Sequence, residues 1–226
     1  MQIKNKTFYL ILIVSFCICA ILGLFIRSSI KKFEFSDLKN IDDECLYNPF
    51  NDTEYSNGTY PNVKEINNLD SIYKYIVIGK TSGNREVLEG AVLTEIEVSK
   101  VLKGEVKGEK IKVYEPVDIV NNMICSFDGY NLLKENKEYI LCLNDLKEGV
   151  KEYDENKIKL YNYSSTFFGK FPLKYTDDEF KVTNTSADSK EMLKYGRYKN
   201  CEQVFQNEVN KKIYLNEYNR LLNLYN

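Results

Sequence analysis

Four of the six cysteines, those outside the uncharged run at residues 7–26, are the side chains best suited to covalent or metal chemistry. The chain contains no histidine, which excludes a Ser-His-Asp triad, a Cys-His pair and a histidine-ligated metal site. A zinc site would need all four thiolates, and none of them are spaced C-x-x-C. The four cysteines are therefore either free buried thiols or members of two disulfides. Of the three possible pairings we expect, if the thiols are oxidised, Cys125 with Cys142 and Cys45 with Cys201.

Carboxylates are the other candidate acids and bases. They are abundant, but no two of them stand in a recognisable catalytic frame, so we expect them to face solvent. The prominent ones are Glu95, Glu97, Asp177, Asp178 and Glu179. A hydrolase or transferase that uses two carboxylates or a Ser-Lys pair is therefore the weakest of the functional hypotheses.

Two segments resemble ligand-binding loops but lack a required residue. Residues 52–58 are similar to a calcium loop, yet the glycine falls one place late and Val63 occupies the position of the bidentate glutamate. Gly79-Lys80-Thr81 is similar to the end of a phosphate-binding loop, but Lys74 stands where the first glycine is needed. The sequence therefore predicts no metal ion and no cofactor.

The charge distribution argues against nucleic acid as a partner. The net charge is −2, and residues 1–32 hold five basic and no acidic side chains, so the remainder carries −7. Arginine, whose planar fork suits phosphate and base edges, occurs only at positions 27, 85, 197 and 220. The many Lys, Asn, Ile and Tyr residues favour a bacterial source with a low-GC genome.

Residues 7–26 form one uncharged run, TFYLILIVSFCICAILGLFI. A helix of this length spans about 30 Å, the thickness of the hydrocarbon core of a bilayer. We expect an uncleaved transmembrane signal anchor behind a cytoplasmic tail at 1–6, with a cleaved signal peptide as the alternative. A lipoprotein needs a small residue directly before its lipidated cysteine. Phe16 and Ile18 precede Cys17 and Cys19, which excludes this class. Positive charges flank both ends almost equally; the short tail and the acidic remainder favour a C-terminal domain outside the cell membrane.

The rest of the chain divides by composition. Residues 27–62 are polar and are assigned to a stalk and a connecting loop. Within residues 63–183, a short helix is expected at 63–73. Alternation at some positions and short continuous apolar runs at others then predict strands at 75–79, 91–102, 110–114, 138–143, 158–161, 165–168 and 180–182. Strands 91–102 and 110–114 are expected to form a hairpin, with a bulge near Ser99 and Lys100 that curls the sheet into a small barrel.

Residues 184–226 are assigned to a helical segment. Residues 190–225 contain no proline, and an apolar stripe at helical spacing predicts a helix packed on the barrel. The stripe comprises Val204, Phe205, Val209, Ile213, Leu221 and Leu222. A free amphipathic helix for a partner or the membrane surface is the alternative. The expected class is mainly β with a C-terminal helix.

Four segments between residues 70 and 170 carry a resemblance to a known family. They are YIVIG at 75–79, VSKVLKG at 98–104, KIKV at 110–113 and LKENKEYIL at 133–141, with Asn136 where a glycine is expected. This pattern resembles the netrin-like, tissue-inhibitor-of-metalloproteinase-like OB-fold domains of proteins exported by Gram-positive bacteria. The resemblance implies an OB-like β-barrel. It does not imply inhibition, because the animal inhibitors chelate zinc through an N-terminal cysteine and a membrane helix occupies that terminus here.

These observations predict a membrane-anchored, extracytoplasmic module that binds an unknown protein or cell-envelope ligand without catalysis. An accessory subunit of a membrane transport or secretion complex is the alternative.

Overall fold

The computed structural model describes residues 5–29, 45–50, 69–88, 90–120, 123–147, 151–154, 156–183 and 192–225. The chain divides into two compact units, Met1–Glu34 and Phe35–Asn226. The first contains one apolar helix, and the second is mainly β with a C-terminal helix. The expected class of fold is therefore confirmed.

Helix α1 (Asn5–Ser29) occupies the N-terminal unit. Its stretch Phe8–Phe25 is long and apolar enough to cross a membrane. This stretch contains no proline and no charged residue, so it can continue as one helix.

The described part of the second unit includes the helices α2 (Leu69–Ile72) and α3 (Glu208–Tyr225), and short 3₁₀ turns at Asp177–Glu179 and Tyr195–Arg197. Its described strands are β1 (Leu46–Asn48), β2 (Tyr75–Leu88), β3 (Ala91–Lys103), β4 (Lys110–Val120), β5 (Met123–Ser126), β6 (Glu138–Asp145), β7 (Leu160–Tyr163), β8 (Lys170–Pro172), β9 (Phe180–Val182), β10 (Leu193–Lys194) and β11 (Gln203–Phe205). Strand β1 lies within the segment assigned to a stalk and loop, so that segment contributes to the sheet.

Nine of these strands form one sheet in the order β10-β1-β5-β4-β3-β2-β6-β7, with β8 added to β6. Strand β7 also pairs with β4 in parallel, so the pairings β2–β3, β3–β4, β4–β7, β7–β6 and β6–β2 return to their starting strand. We call these five strands the pairing circuit. Strands β9 and β11 form a separate parallel pair.

The predicted hairpin and its bulge are confirmed. Strands β3 and β4 pair antiparallel from Ala91 opposite Asp118 to Glu97 opposite Lys110. Next to β2, Val98 faces Gly79 and Lys100 faces Ile78, so Ser99 is the extra residue of a bulge.

Three predicted elements differ in the structure. Strand β2 continues past residue 79, because the turn-like residues 82–84 form a wide bulge opposite Glu95 and pairing then resumes. Residues 166–168 form a turn rather than a strand, and the Ser165 hydroxyl accepts bonds from the amides of residues 167 and 168. The predicted strand at 180–182 forms as β9, but it pairs with β11 outside the nine-stranded sheet.

The C-terminal helix begins later than the apolar stripe suggested. Val204 and Phe205 lie on β11, and Val209 is exposed. The Asn207 side chain accepts the amide of Asn210 at 3.0 Å and caps the helix. The residues of α3 that are buried follow helical spacing and face the sheet: Asn210, Tyr214, Glu217, Tyr218 and Leu221.

Two apolar clusters lie on opposite faces of β2 and β6, because successive strand side chains alternate between faces. One cluster, which we call the inner cluster, is formed by side chains on one face of the circuit strands and includes Val77, Ile96, Ile111, Val113 and Leu141. The other lies between the opposite face and the C-terminal region and includes Ile76, Ile140, Phe171, Phe180, Phe205, Tyr214, Tyr218 and Leu221. The predicted packing of the C-terminal helix against the sheet is thus confirmed.

Candidate functional site

The first buried charge centre is an ion pair between Arg85 of β2 and Glu115 of β4. Arg85 Nε lies 3.1 Å from Glu115 Oε1, and the two side chains are only 6% and 0% exposed. Oε1 also accepts the Thr94 hydroxyl, and Oε2 accepts the Tyr130 hydroxyl at 2.8 Å and the amide of Leu133 at 2.7 Å. The Arg85 guanidinium also donates to the carbonyl of Leu133. Every oxygen of this carboxylate is therefore occupied by protein donors.

The second centre joins Lys170 of β8 to Glu202, which precedes β11. Lys170 Nζ lies 3.2 Å from Glu202 Oε2 and donates to the carbonyl of Asn131 at 2.6 Å. The ammonium also lies 4.4 Å from the ring centroid of Tyr130 and 5.6 Å from that of Tyr139. Both centres therefore contact residues 130–134, the segment that connects β5 to β6.

Glu202 is surrounded by three lysines, whose combined charge exceeds that of one carboxylate. Its Oε1 lies 3.0 Å from Lys137 Nζ and 3.2 Å from Lys134 Nζ, and it accepts the Tyr139 hydroxyl at 3.2 Å. Burial alone would raise the pKa of Glu202. The charges of Lys170, Lys134 and Lys137 outweigh burial and lower this pKa to about 2.

Glu179 supplies the second negative charge of this cluster, at 3.0 Å from Lys134 and 2.7 Å from Lys137. Three lysines therefore face two glutamates. Lys134 and Lys137 keep contact with solvent, whereas Lys170 is 1% exposed. Burial, together with the charge of Lys134, lowers the pKa of the Lys170 amine against the opposing pull of Glu202. Lys170 therefore releases its proton more readily than an ordinary lysine.

The chemistry available to Lys170 is limited by its contacts. A buried amine with a lowered pKa is the group that a Ser-Lys hydrolase would need. The partners that the structure gives Lys170 are a carbonyl, a carboxylate and two tyrosine rings, and no serine hydroxyl contacts it among the described residues. The geometry suits this lysine to fixing the 130–134 segment against β8 and Glu202.

A third group of charges lies on the side of β2, β3 and β4 that faces away from the inner cluster. We call it the outer face; it comprises Lys80, Glu86, Glu95, Glu97, Lys110 and Lys112. Cross-strand ion pairs join Lys80 to Glu97 at 3.7 Å and Lys110 to Glu95 at 2.8 Å. Lys112 contacts Glu86 and lies 2.9 Å from Asp154. Positive and negative groups therefore alternate, and the face neutralises itself.

The exposure of the predicted carboxylates is mixed. Glu97, Asp177 and Asp178 are accessible, as expected. The prediction for Glu95 is wrong: it is 7% exposed, because Ser82, Asn84 and Lys110 all donate to its Oε1. These donors and the Lys110 charge outweigh burial and lower the pKa of Glu95. Glu179 is half-buried through its two lysines. The outward register of β3 was correct, but the sequence did not indicate that a bulge would cover Glu95.

The cysteine pairs differ in how the structure places them. Cys125 lies on β5, and Cys142 lies on β6 in the cluster under α3; these two strands do not pair. Cys45 and Cys201 both border the turn at 195–198, since the Tyr195 amide donates to the Cys45 carbonyl and the Cys201 amide to the Tyr198 carbonyl. The structure therefore brings the second pair to one turn and leaves the first on separate strands. Both disulfides stay predictions.

Burial raises the pKa of the thiols of Cys125 and Cys201, which disfavours their thiolate forms. Within the described ranges, no group of three or more Cys, Asp or Glu side chains is arranged to hold a metal ion. The calcium-like residues 52–58 and Val63 lie outside the described residues.

Two glycine-type positions have conformational explanations. A Cβ on Gly79 would lie 2.8 Å from the carbonyl of Glu97, so this glycine permits close pairing of β2 and β3. Asn136, which replaces the glycine expected from the family resemblance, has φ of 62°. Asparagine tolerates this left-handed region better than most residues, so the backbone requirement is met.

The sequence analysis did not identify the residues of the two ion pairs, Arg85 with Glu115 and Lys170 with Glu202. The two members of each pair are far apart in the sequence, and strand pairing brings them together. Comparison with family models, with curated proteins and with solved structures finds no match for this chain. The functional argument therefore proceeds from the geometry of these centres and of the outer face.

Proposed function

We propose that the pairing circuit is an OB-like β-barrel and that the protein is a membrane-anchored, extracytoplasmic, non-catalytic binding module. The observation that carries this proposal is the order of the pairings, β2-β3-β4-β7-β6 and back to β2, with one parallel contact between β4 and β7. Five strands paired in this closed order are the arrangement of a small Greek-key barrel of the OB type.

The buried charges support binding rather than catalysis. Glu115 accepts four protein donors, and Glu202 is surrounded by three lysines and a tyrosine hydroxyl. A general acid or base must reach the substrate directly or through one water. These carboxylates are fully buried and are used to hold the 130–134 segment, so they suit a structural role.

The outer face supports a ligand other than nucleic acid. In OB-type barrels the surface of the second and third strands is a common binding surface, which corresponds to β3 and β4 here. Its lysines are already paired with Glu95, Glu97 and Glu86. Binding a polyanion needs unneutralised positive charge. We therefore assign this face to a protein or an uncharged cell-envelope polymer.

Helix α1 supports attachment to the cell membrane. The short tail before the helix and the acidic remainder favour a location of the second unit outside the cell. Protease added to intact protoplasts is expected to digest residues 35–226 while a cytoplasmic marker survives. Full protection of these residues would contradict the outward orientation.

Photo-crosslinking in living cells tests the binding function. A crosslinking amino acid is placed in the full-length protein at Lys80 or Lys110 of the outer face, or at the matched exposed positions Lys212 and Asn216 of α3. We expect a discrete adduct from the outer face and none from α3. Adducts from both surfaces alike, or from neither, would contradict the proposal.

The identity of the adduct separates the two binding hypotheses. A soluble protein or an envelope polymer supports an independent binding module. An integral membrane protein recovered in a fixed ratio to this chain would instead support an accessory subunit of a transport or secretion complex.

A further inference from the structure

We draw no further inference here: the strongest candidate, the enclosed cluster of Lys134, Lys137, Lys170, Glu179 and Glu202 beneath β6 and β8, belongs to the buried centre already described, and nothing in the described part of the chain points to a ligand for it.

Discussion

The two buried ion pairs beside residues 130–134 differ in the group that carries the positive charge. Arg85 pairs with Glu115, and both oxygens of the carboxylate accept protein donors. Lys170 faces Glu202 in a cluster with one more lysine than glutamate. Arginine keeps its proton in proteins, whereas a buried lysine can lose one. The Arg85–Glu115 pair therefore stays charged. In the second centre, Lys170 can lose its proton, which reduces the excess of positive charge.

This difference teaches that burial alone does not set the energetic importance of a charge. The stability lost on removing a carboxylate depends on its cationic partner. The loss is larger when that cation must stay charged and buried, and smaller when it can lose its proton. The variants below use that distinction, beginning with the arginine centre, whose cation cannot lose its proton.

Replacing Glu115 is expected to have the largest effect. Glu115→Gln removes the carboxylate that faces the buried Arg85 guanidinium, which stays charged, and this should destabilise the fold by about 3–5 kcal/mol. Urea unfolding of the 35–226 unit measures this loss. Glu97→Gln on the outer face is the matched control and should change stability by less than about 0.5 kcal/mol. Equal losses in both variants would show that the buried pair is not special.

Glu202→Gln is expected to cost less than Glu115→Gln, about 1–3 kcal/mol as for a buried group that loses a hydrogen-bond partner, although Glu202 contacts more lysines. Lys170 can lose its proton, and Lys134 and Lys137 retain Glu179 and solvent. The same unfolding experiment compares the two variants directly. A loss larger than that of Glu115→Gln would reverse the proposed ranking of the two centres.

The contribution of Glu202 should also depend on pH. Its pKa is about 2 in the fold against an ordinary value of 4.5, so its stabilisation is complete above 4.5 and is lost as the pH falls toward 2. The stability difference between wild type and Glu202→Gln should therefore shrink to roughly half or less of its neutral value at pH 3. Unfolding midpoints at pH 7, 5 and 3 measure it, and a constant difference would show that Glu202 titrates normally.

Tyr130→Phe separates the two centres with a smaller change. The variant loses the hydroxyl that donates to Glu115 but keeps the ring beside Lys170. We expect a loss of about 1–2 kcal/mol. Combined with Glu115→Gln the losses should be less than additive, and combined with Glu202→Gln they should add. The opposite pattern of coupling would assign Tyr130 to the lysine centre.

The sequence predicts those parts of the fold that depend on local pattern. Alternation over 91–102 and 110–114 indicates the β3–β4 hairpin, and the phase change after Val98 locates the bulge at Ser99. The uncharged run at 7–26 likewise locates α1. In each case neighbouring residues in the chain determine the result, so no knowledge of distant contacts is needed.

The parts that the sequence did not predict depend on distant contacts. Residues 82–84 have the composition of a turn, yet strand pairing with β3 continues on both sides of them. Val204 and Phe205 fit a helical stripe, but pairing with β9 holds them in a strand. Lys170 and Glu202 are 32 positions apart, and charged residues ordinarily indicate surface. The sequence therefore could not predict this ion pair, because its two residues come from separate segments of the chain.

The central claim is that the buried charges hold the fold and take no part in the protein's chemistry. The double variant Lys170→Met with Glu202→Leu, made in the full-length protein, tests this claim most directly. Both members of the ion pair are removed, so neither is left as a buried charge without its partner. We predict that its melting temperature lies nearer to wild type than that of Glu202→Leu alone. We also predict that the adducts at Lys80 and Lys110 persist. A double variant that melts like wild type but has lost both adducts would contradict the account and give Lys170 and Glu202 a functional role.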